Sequence, residues 1–148
     1  DHAVIGATAG IVDYHEAVAS HHGVDGASPG ERLRALFDLY AAHEEALVAP
    51  LLELLATRDG VRVVGRTEAD HRVRAPTVAF HTPRRPSAEI YRALIDAGVA
   101  CGHGHFYAHR LVTALGLDPD DGVVRLSPVH YNTPAEMARA LEVLDAVL

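Results

Sequence analysis

The chain has 148 residues, 49% of them hydrophobic and 22% charged, which is close to globular averages and excludes global disorder. That length suits one domain. A formal net charge of -7, with histidines neutral, argues against a general nucleic-acid or anionic-membrane binder; charges also interrupt every apolar run well before the roughly 20 residues a membrane helix needs.

Residues 3–20 read as a helix with small residues on one side, closing near His21, His22 and Gly23. Ser28, Pro29 and Glu31 then form a capping box, with serine at the N-cap, proline at the first helical position and glutamate at the third. Leu33, Phe37, Tyr40, Leu47, Leu51 and Leu55 recur at helical spacing, which predicts a helix to Thr57. Pro50 lacks an N–H and crowds the Ala46 carbonyl, so a kink or break is expected there.

Asp59 and Gly60 make a turn before a short strand near 61–65, and residues 65–75 form a polar, arginine-rich loop. Residues 77–81 alternate as a strand, with Val78 and Phe80 on one face. Ser87 is expected to cap a helix over 87–97, which Gly98 ends. A strand at 99–101, a glycine-loosened loop from Gly102 to His105 and a helix at 106–115 follow. After turn residues 118–122 comes strand 123–127, and Thr133, Pro134 and Glu136 repeat the capping logic for a helix over 134–148.

This order predicts an α/β two-layer sandwich, a small, mostly antiparallel sheet preceded by a long bridging helix. Helices 87–97, 106–115 and 134–148 are expected on one face. The two N-terminal helices have no place in that core, so Ile5, Ile11, Val12 and Tyr14 should be exposed. The chain begins at Asp1 without methionine and no signal-like segment follows, from which a piece of a longer, cytoplasmic protein is expected.

The chemistry-bearing residues are few. There is no lysine, so no side-chain amine can form a Schiff base. The single cysteine, Cys101, excludes an internal disulfide and any multi-cysteine metal site. At the end of Val99-Ala100-Cys101 it is either a nucleophile or, as a short apolar strand favours, an inert buried thiol. Arg125, flanked by Val123, Val124 and Leu126, must find an anion or reach water. It serves either a local salt bridge or a carboxylate or phosphate clamp, for which arginine offers a two-pronged fork. His105 and His109 are spaced for one helix face and His103 lies nearby, but no third metal ligand is evident; surface histidines, or lining for a pocket, are the other readings. No Gly-rich phosphate loop, serine elbow or paired-carboxylate motif is present.

The stretch Val123-Val-Arg-Leu-Ser-Pro-Val-His-Tyr-Asn-Thr-Pro-Ala-Glu-Met-Ala-Arg-Ala-Leu resembles the end of class V aminotransferases, particularly their cysteine desulfurase-like branch. Gly98-Val-Ala-Cys-Gly-His-Gly-His-Phe-Tyr-Ala resembles the family's strand and loop before the last helix pair. The specific part of the likeness is Arg125 to Thr133; elsewhere it rests on order and spacing. The resemblance implies a fold-type I enzyme that depends on pyridoxal phosphate (PLP). Residues 1–27 would be helix and linker from a large domain, and 28–148 the C-terminal small domain. The partners implied are the large PLP-binding domain of the same polypeptide, a second copy in a homodimer, and a small amino-acid substrate, with no nucleic acid and no membrane. Most cofactor contacts would belong to the large domain, so the isolated chain should be inactive. Arg125 matches the arginine that grips the substrate α-carboxylate, Thr133 matches a helix-capping threonine, and His103, His105 and Tyr107 would line the pocket. One departure stands out: desulfurases place a nucleophilic cysteine after Gly-His-His, whereas here Gly104-His105-Phe106 leads into Tyr107. Transaminase, epimerase or lyase chemistry therefore fits as well as desulfuration. Outside the resemblance, a stand-alone carboxylate-binding module and a histidine-based metal protein are the alternatives.

Overall fold

Side-chain caps fix where the longest and the last helices begin. In the computed structural model, which describes residues 2–148, Ser28 Oγ accepts from the Glu31 N–H at 3.3 Å and opens α3 (Pro29–Thr57). Thr133 Oγ1 accepts from the Glu136 N–H at 3.2 Å, and Glu136 accepts from the Thr133 N–H at 2.7 Å, opening α6 (Pro134–Val147). The Thr133 box satisfies two N–H groups that a helix start leaves without partners, whereas the Ser28 cap satisfies one, the Glu31 carboxylate accepting from the Ser28 hydroxyl instead.

The chain divides into two units, 1–42 and 43–148, with the boundary inside α3. In the first, α1 (His2–Ala7) and α2 (Ala9–His21) replace the single expected helix. The break falls at Thr8, whose hydroxyl donates to the Ile5 carbonyl at 2.7 Å and competes with the helical ladder. A small cluster of Ala19, Leu36 and Tyr40 holds this unit together, while Ile5, Ile11, Val12 and Tyr14 are exposed as expected.

The second unit carries the sheet. Its strands are β1 (Arg62–Val64), β2 (Val78–His81), β3 (Gly102–Gly104) and β4 (Val123–Leu126), with α4 (Ser87–Asp96) and α5 (His109–Ala114) between them. The strand order is β1-β2-β4-β3 and every pairing is antiparallel. Val63, Phe80 and Val124 lie across from one another on one face, as do Val78 and Leu126. That face packs on α4, α6 and the second half of α3 through Leu51, Leu55, Ile90, Leu94 and Leu144. The two-layer antiparallel architecture follows the sequence expectation, except that helix 106–115 was expected on this same face and lies on the other.

Four local assignments change. α3 runs unbroken past Pro50, because Val48, Leu51, Leu52 and Leu55 around it are all buried. Burying each contributes about 1.5–3 kcal/mol, which together exceeds the roughly 3 kcal/mol of an interior proline. The edge strand is Gly102–Gly104 rather than 99–101: the Val99 N–H closes the end of α4 on the Leu94 carbonyl at 2.9 Å and is not free for a ladder. α5 starts at His109 rather than 106, since Phe106 and Tyr107 have φ of 49° and 61° and cannot belong to a right-handed helix. It packs Val112 on Val123, Val64 and Ala79, so it covers the face opposite the three longer helices. Finally, Ser87 is the first residue of α4 rather than its cap; its N–H and hydroxyl both donate to Asp121, at 2.7 and 3.2 Å.

Thr133→Ala is expected to cost about 1 kcal/mol, the usual worth of an N-cap, measured by chemical denaturation. The Thr133 N–H and hydroxyl, then the Asn132 amide, hold the Glu136 carboxyl below its ordinary 4.5. A depressed folded pKa stabilises the protein above the unfolded pKa, and that part is lost as pH falls through the folded value. Glu136→Gln should therefore flatten the stability profile below about pH 4.5, the ordinary value.

Candidate functional site

Arg125 sits in an interior strand, on the face opposite the main core. Its neighbours across the ladders are Ala79 on β2 and Gly102 on β3, so neither side crowds the long side chain. The guanidinium carbon lies over the Phe106 ring, with Cζ 3.8 Å from the centroid, well within cation–π range. Among the described residues no carboxylate pairs with it, which removes the local salt bridge weighed from sequence.

The loop after β3 is shaped to bring that ring there. Phe106 and Tyr107 are both left-handed, a conformation that costs L-residues about 1–2 kcal/mol each. Anchoring offsets this. Phe106 packs against the Val112, Leu117 and Val123 cluster. Its ring edge occupies the space a side chain at Gly102 would need: a Cβ there would lie 2.9 Å from Phe106 Cε1. A Cβ on Gly122 would lie 2.2 Å from the Gly104 carbonyl carbon, so the β3–β4 junction also depends on glycine.

The other sequence candidates scatter. Tyr107 projects into solvent, fully exposed. His103 is in register with Val124 and its ring stacks 4.5 Å from that of Tyr91. His105 lies 5.7 Å from His109, ring to ring, and its Nδ1 is buried without a hydrogen bond. The three histidines do not converge as metal ligands; among the described residues the one such grouping is Glu45, Asp70 and His71. There Glu45 already accepts from the His71 N–H and ring at 2.8 and 2.6 Å, and Arg72 grips Asp70, so these contacts fasten loop 65–75 to α3. A separate cleft of about 490 Å³ runs between Gly98–Ala100, the loop after β4 and the start of α6. Arg125, His103, His105 and Tyr107 are not among its lining residues.

Sequence reading missed what secures the loop before α6. His43 Nε2 donates to the Asn132 carbonyl at 2.8 Å, and Glu44 accepts from the His130 N–H at 3.0 Å. Consecutive polar residues on an otherwise apolar helix stretch were the available signal.

Cys101 packs against the main core with Sγ 4.0 Å from the Tyr91 carbonyl, and burial pushes its pKa up. A thiol so held stays protonated at neutral pH and is a poor nucleophile. It should react slowly with a thiol-disulfide reagent at pH 8 in the native protein and rapidly after unfolding; fast native labelling would contradict this.

The aminotransferase class-V family model matches residues 33–139. The chain belongs to the class-V aminotransferase family. It is 41% identical over 123 residues to an aminotransferase-like protein of Gibberella zeae, covering 80% of this chain and 30% of that protein. It is 33% identical over 105 residues to a probable cysteine desulfurase of Pseudomonas putida, covering 71% and 24%. Among solved structures, it superposes on an apo cysteine desulfurase from Thermococcus onnurineus with a TM-score of 0.64 at 23% identity, covering 80% of this chain and 29% of that one. A cysteine desulfurase from Escherichia coli gives 0.58 at 22% identity, covering 82% and 31%. These two likenesses show the fold. The class-V chain thus spans less than a third of the curated relatives it matches. No helix among the described residues is long and apolar enough to cross a membrane.

Proposed function

We propose that this class-V chain supplies the substrate-carboxylate-binding C-terminal part of a cytoplasmic, homodimeric, PLP-dependent enzyme acting on a small amino acid. Residues 28–148 form its C-terminal small domain and 1–27 come from the large domain. Arg125 binds the substrate α-carboxylate. The observation that carries this reading is a half-buried arginine with no anion of its own among the described residues, its guanidinium carbon seated over the Phe106 ring. Stacking engages the face of the group and leaves its in-plane N–H fork for a carboxylate.

PLP, when bound, serves as the electron sink for chemistry at the amino-acid Cα. This chain has no lysine to hold the cofactor's carbonyl carbon, and so does not itself fit the cofactor's anchor. What its own residues do is bind and orient. Arg125 fixes the substrate by two parallel charge-assisted hydrogen bonds. Cys101 is half-buried against the core with its pKa raised, and Tyr107 stands on the exposed loop, so neither offers the thiolate that desulfuration needs. Transamination, epimerisation or elimination suits these residues better.

In the full-length protein, Arg125→Lys should lower kcat/KM for an amino-acid substrate roughly 10- to 100-fold, since a charge-assisted pair is worth about 1.5–3 kcal/mol. The melting temperature should change little. An unchanged KM with a lowered melting temperature would instead make Arg125 a structural residue. The 148-residue chain alone, mixed with PLP and reduced with borohydride, should take label at the N-terminal amine and nowhere else, because it has no lysine. Mass spectrometry of the digested protein reads this directly.

A further inference from the structure

Resting on the carboxylate reading of Arg125, the geometry points to Phe106 as a positioning residue that holds the guanidinium ready for substrate. An arginine side chain has many rotamers, and a site that must order it on binding loses affinity. Here the ordering is built in. Gly102 stands directly across the ladder from Arg125, and its missing side chain leaves a notch. The edge of the Phe106 ring fills that notch, while its face lies 3.8 Å under the guanidinium carbon. The ring is itself braced by the Val112, Leu117 and Val123 cluster, so it does not move with the arginine. Phenylalanine has no polar atom, so it neither occupies the fork nor competes for the substrate carboxylate.

This set of contacts also explains a turn that is otherwise costly. The left-handed pair at Phe106 and Tyr107 folds the chain back after the edge strand, which is what carries the ring beneath a side chain of the neighbouring strand. A ring on an ordinary helical turn at 106 would not be directed back across β3 in this way. Gly102 is then part of the same device: any larger residue pushes the ring edge out of the notch and tilts its face away from Arg125.

The test uses the full-length, PLP-loaded protein and two probes that capture the cofactor carbonyl. Aminooxyacetate carries a carboxylate and methoxyamine does not, so the ratio of their binding constants, followed by cofactor absorbance, isolates the carboxylate contact. Arg125→Lys should lower the ratio roughly 10- to 100-fold, the range of a charge-assisted pair. Phe106→Leu should lower it roughly 3- to 10-fold, the range of a partly buried cation–π contact, and leave methoxyamine unaffected. Phe106→Tyr, which keeps the ring face, should restore the ratio, and Phe106→Leu should add nothing in an Arg125→Lys background. Gly102→Ala should reproduce the Phe106→Leu loss and serves if that variant folds poorly. A readout that needs no cofactor is the Arg125 Nε–H resonance in 15N-arginine-labelled protein. The ring current should displace it in the wild type, and Phe106→Leu should return it toward its solvent-exposed position. An unchanged ratio in Phe106→Leu, or equal losses with both probes, overturns the role of Phe106 and leaves Arg125 standing. An unchanged ratio in Arg125→Lys overturns the carboxylate reading itself.

Discussion

An arginine in an interior strand must be given room on both sides and something to lie against. β4 is flanked by β2 and β3, and the residues opposite Arg125 are alanine and glycine. Had either been bulky, the guanidinium would be driven from the sheet toward solvent. Much of the surrounding backbone answers this requirement. Gly102 stays small, the edge strand is only three residues long, and the chain turns through two left-handed residues so that Phe106 returns beneath the charge. α5 covers the outer face with Val112 rather than joining the helix layer, and so supports the ring from below.

The main fold was legible because its signals are local and repeated. Both helix starts are spelled out in consecutive residues: the box at Thr133 and Glu136 forms as read, and at Ser28 the N-cap half of it does. The alternation in 77–81 and 123–127 placed Val78, Phe80, Val124 and Leu126 on one buried face. The segment from 99 to 108 was not legible in the same way. Val99-Ala100-Cys101 looks like a strand by composition, yet the Val99 N–H is already committed to closing α4. Gly102-His103-Gly104 looks like a loop because its glycines are read as flexibility. In fact Gly102 leaves space for the Phe106 ring, and the Gly104 backbone lies where a side chain on Gly122 would have to go. Gly102 and Phe106 are close in sequence, but what brings them together is the left-handed turn and the strand carrying Arg125, and the Gly104–Gly122 approach joins residues far apart in the chain.

The same distinction separates the parts of the candidate site. Arg125 stood out as a charge among apolar neighbours in a strand, a contradiction visible in four residues. Phe106 did not, because an aromatic residue at the start of an expected helix reads as ordinary core. Its contact with Arg125 crosses from the loop after β3 to the next strand of the sheet. His43 and Glu44 were hidden for a similar reason. They hold backbone groups of residues 130–132 from a helix some 90 positions earlier, His43 being 89 residues from Asn132. That tether matters because the loop joins β4 to α6, and so fixes how the strand carrying Arg125 leads into its capped helix.

What the chain has and lacks divides the chemistry between binding and bond-making. Schiff-base chemistry needs an amine, and attack by sulfur needs a thiolate at neutral pH. The sequence has no lysine, and its one cysteine is kept protonated by burial against the core. The groups that remain suited to a ligand are an arginine fork and the residues that hold it still. Such a fork gains most from being rigid, since each hydrogen bond it makes then carries less ordering cost. A stacked guanidinium meets that condition without spending its donors, whereas an internal salt bridge would have met it by consuming them. On the proposed reading, the absence of a carboxylate beside Arg125 among the described residues keeps its donors for a ligand. The left-handed turn at Phe106 and Tyr107 is the backbone cost of keeping that fork both fixed and free.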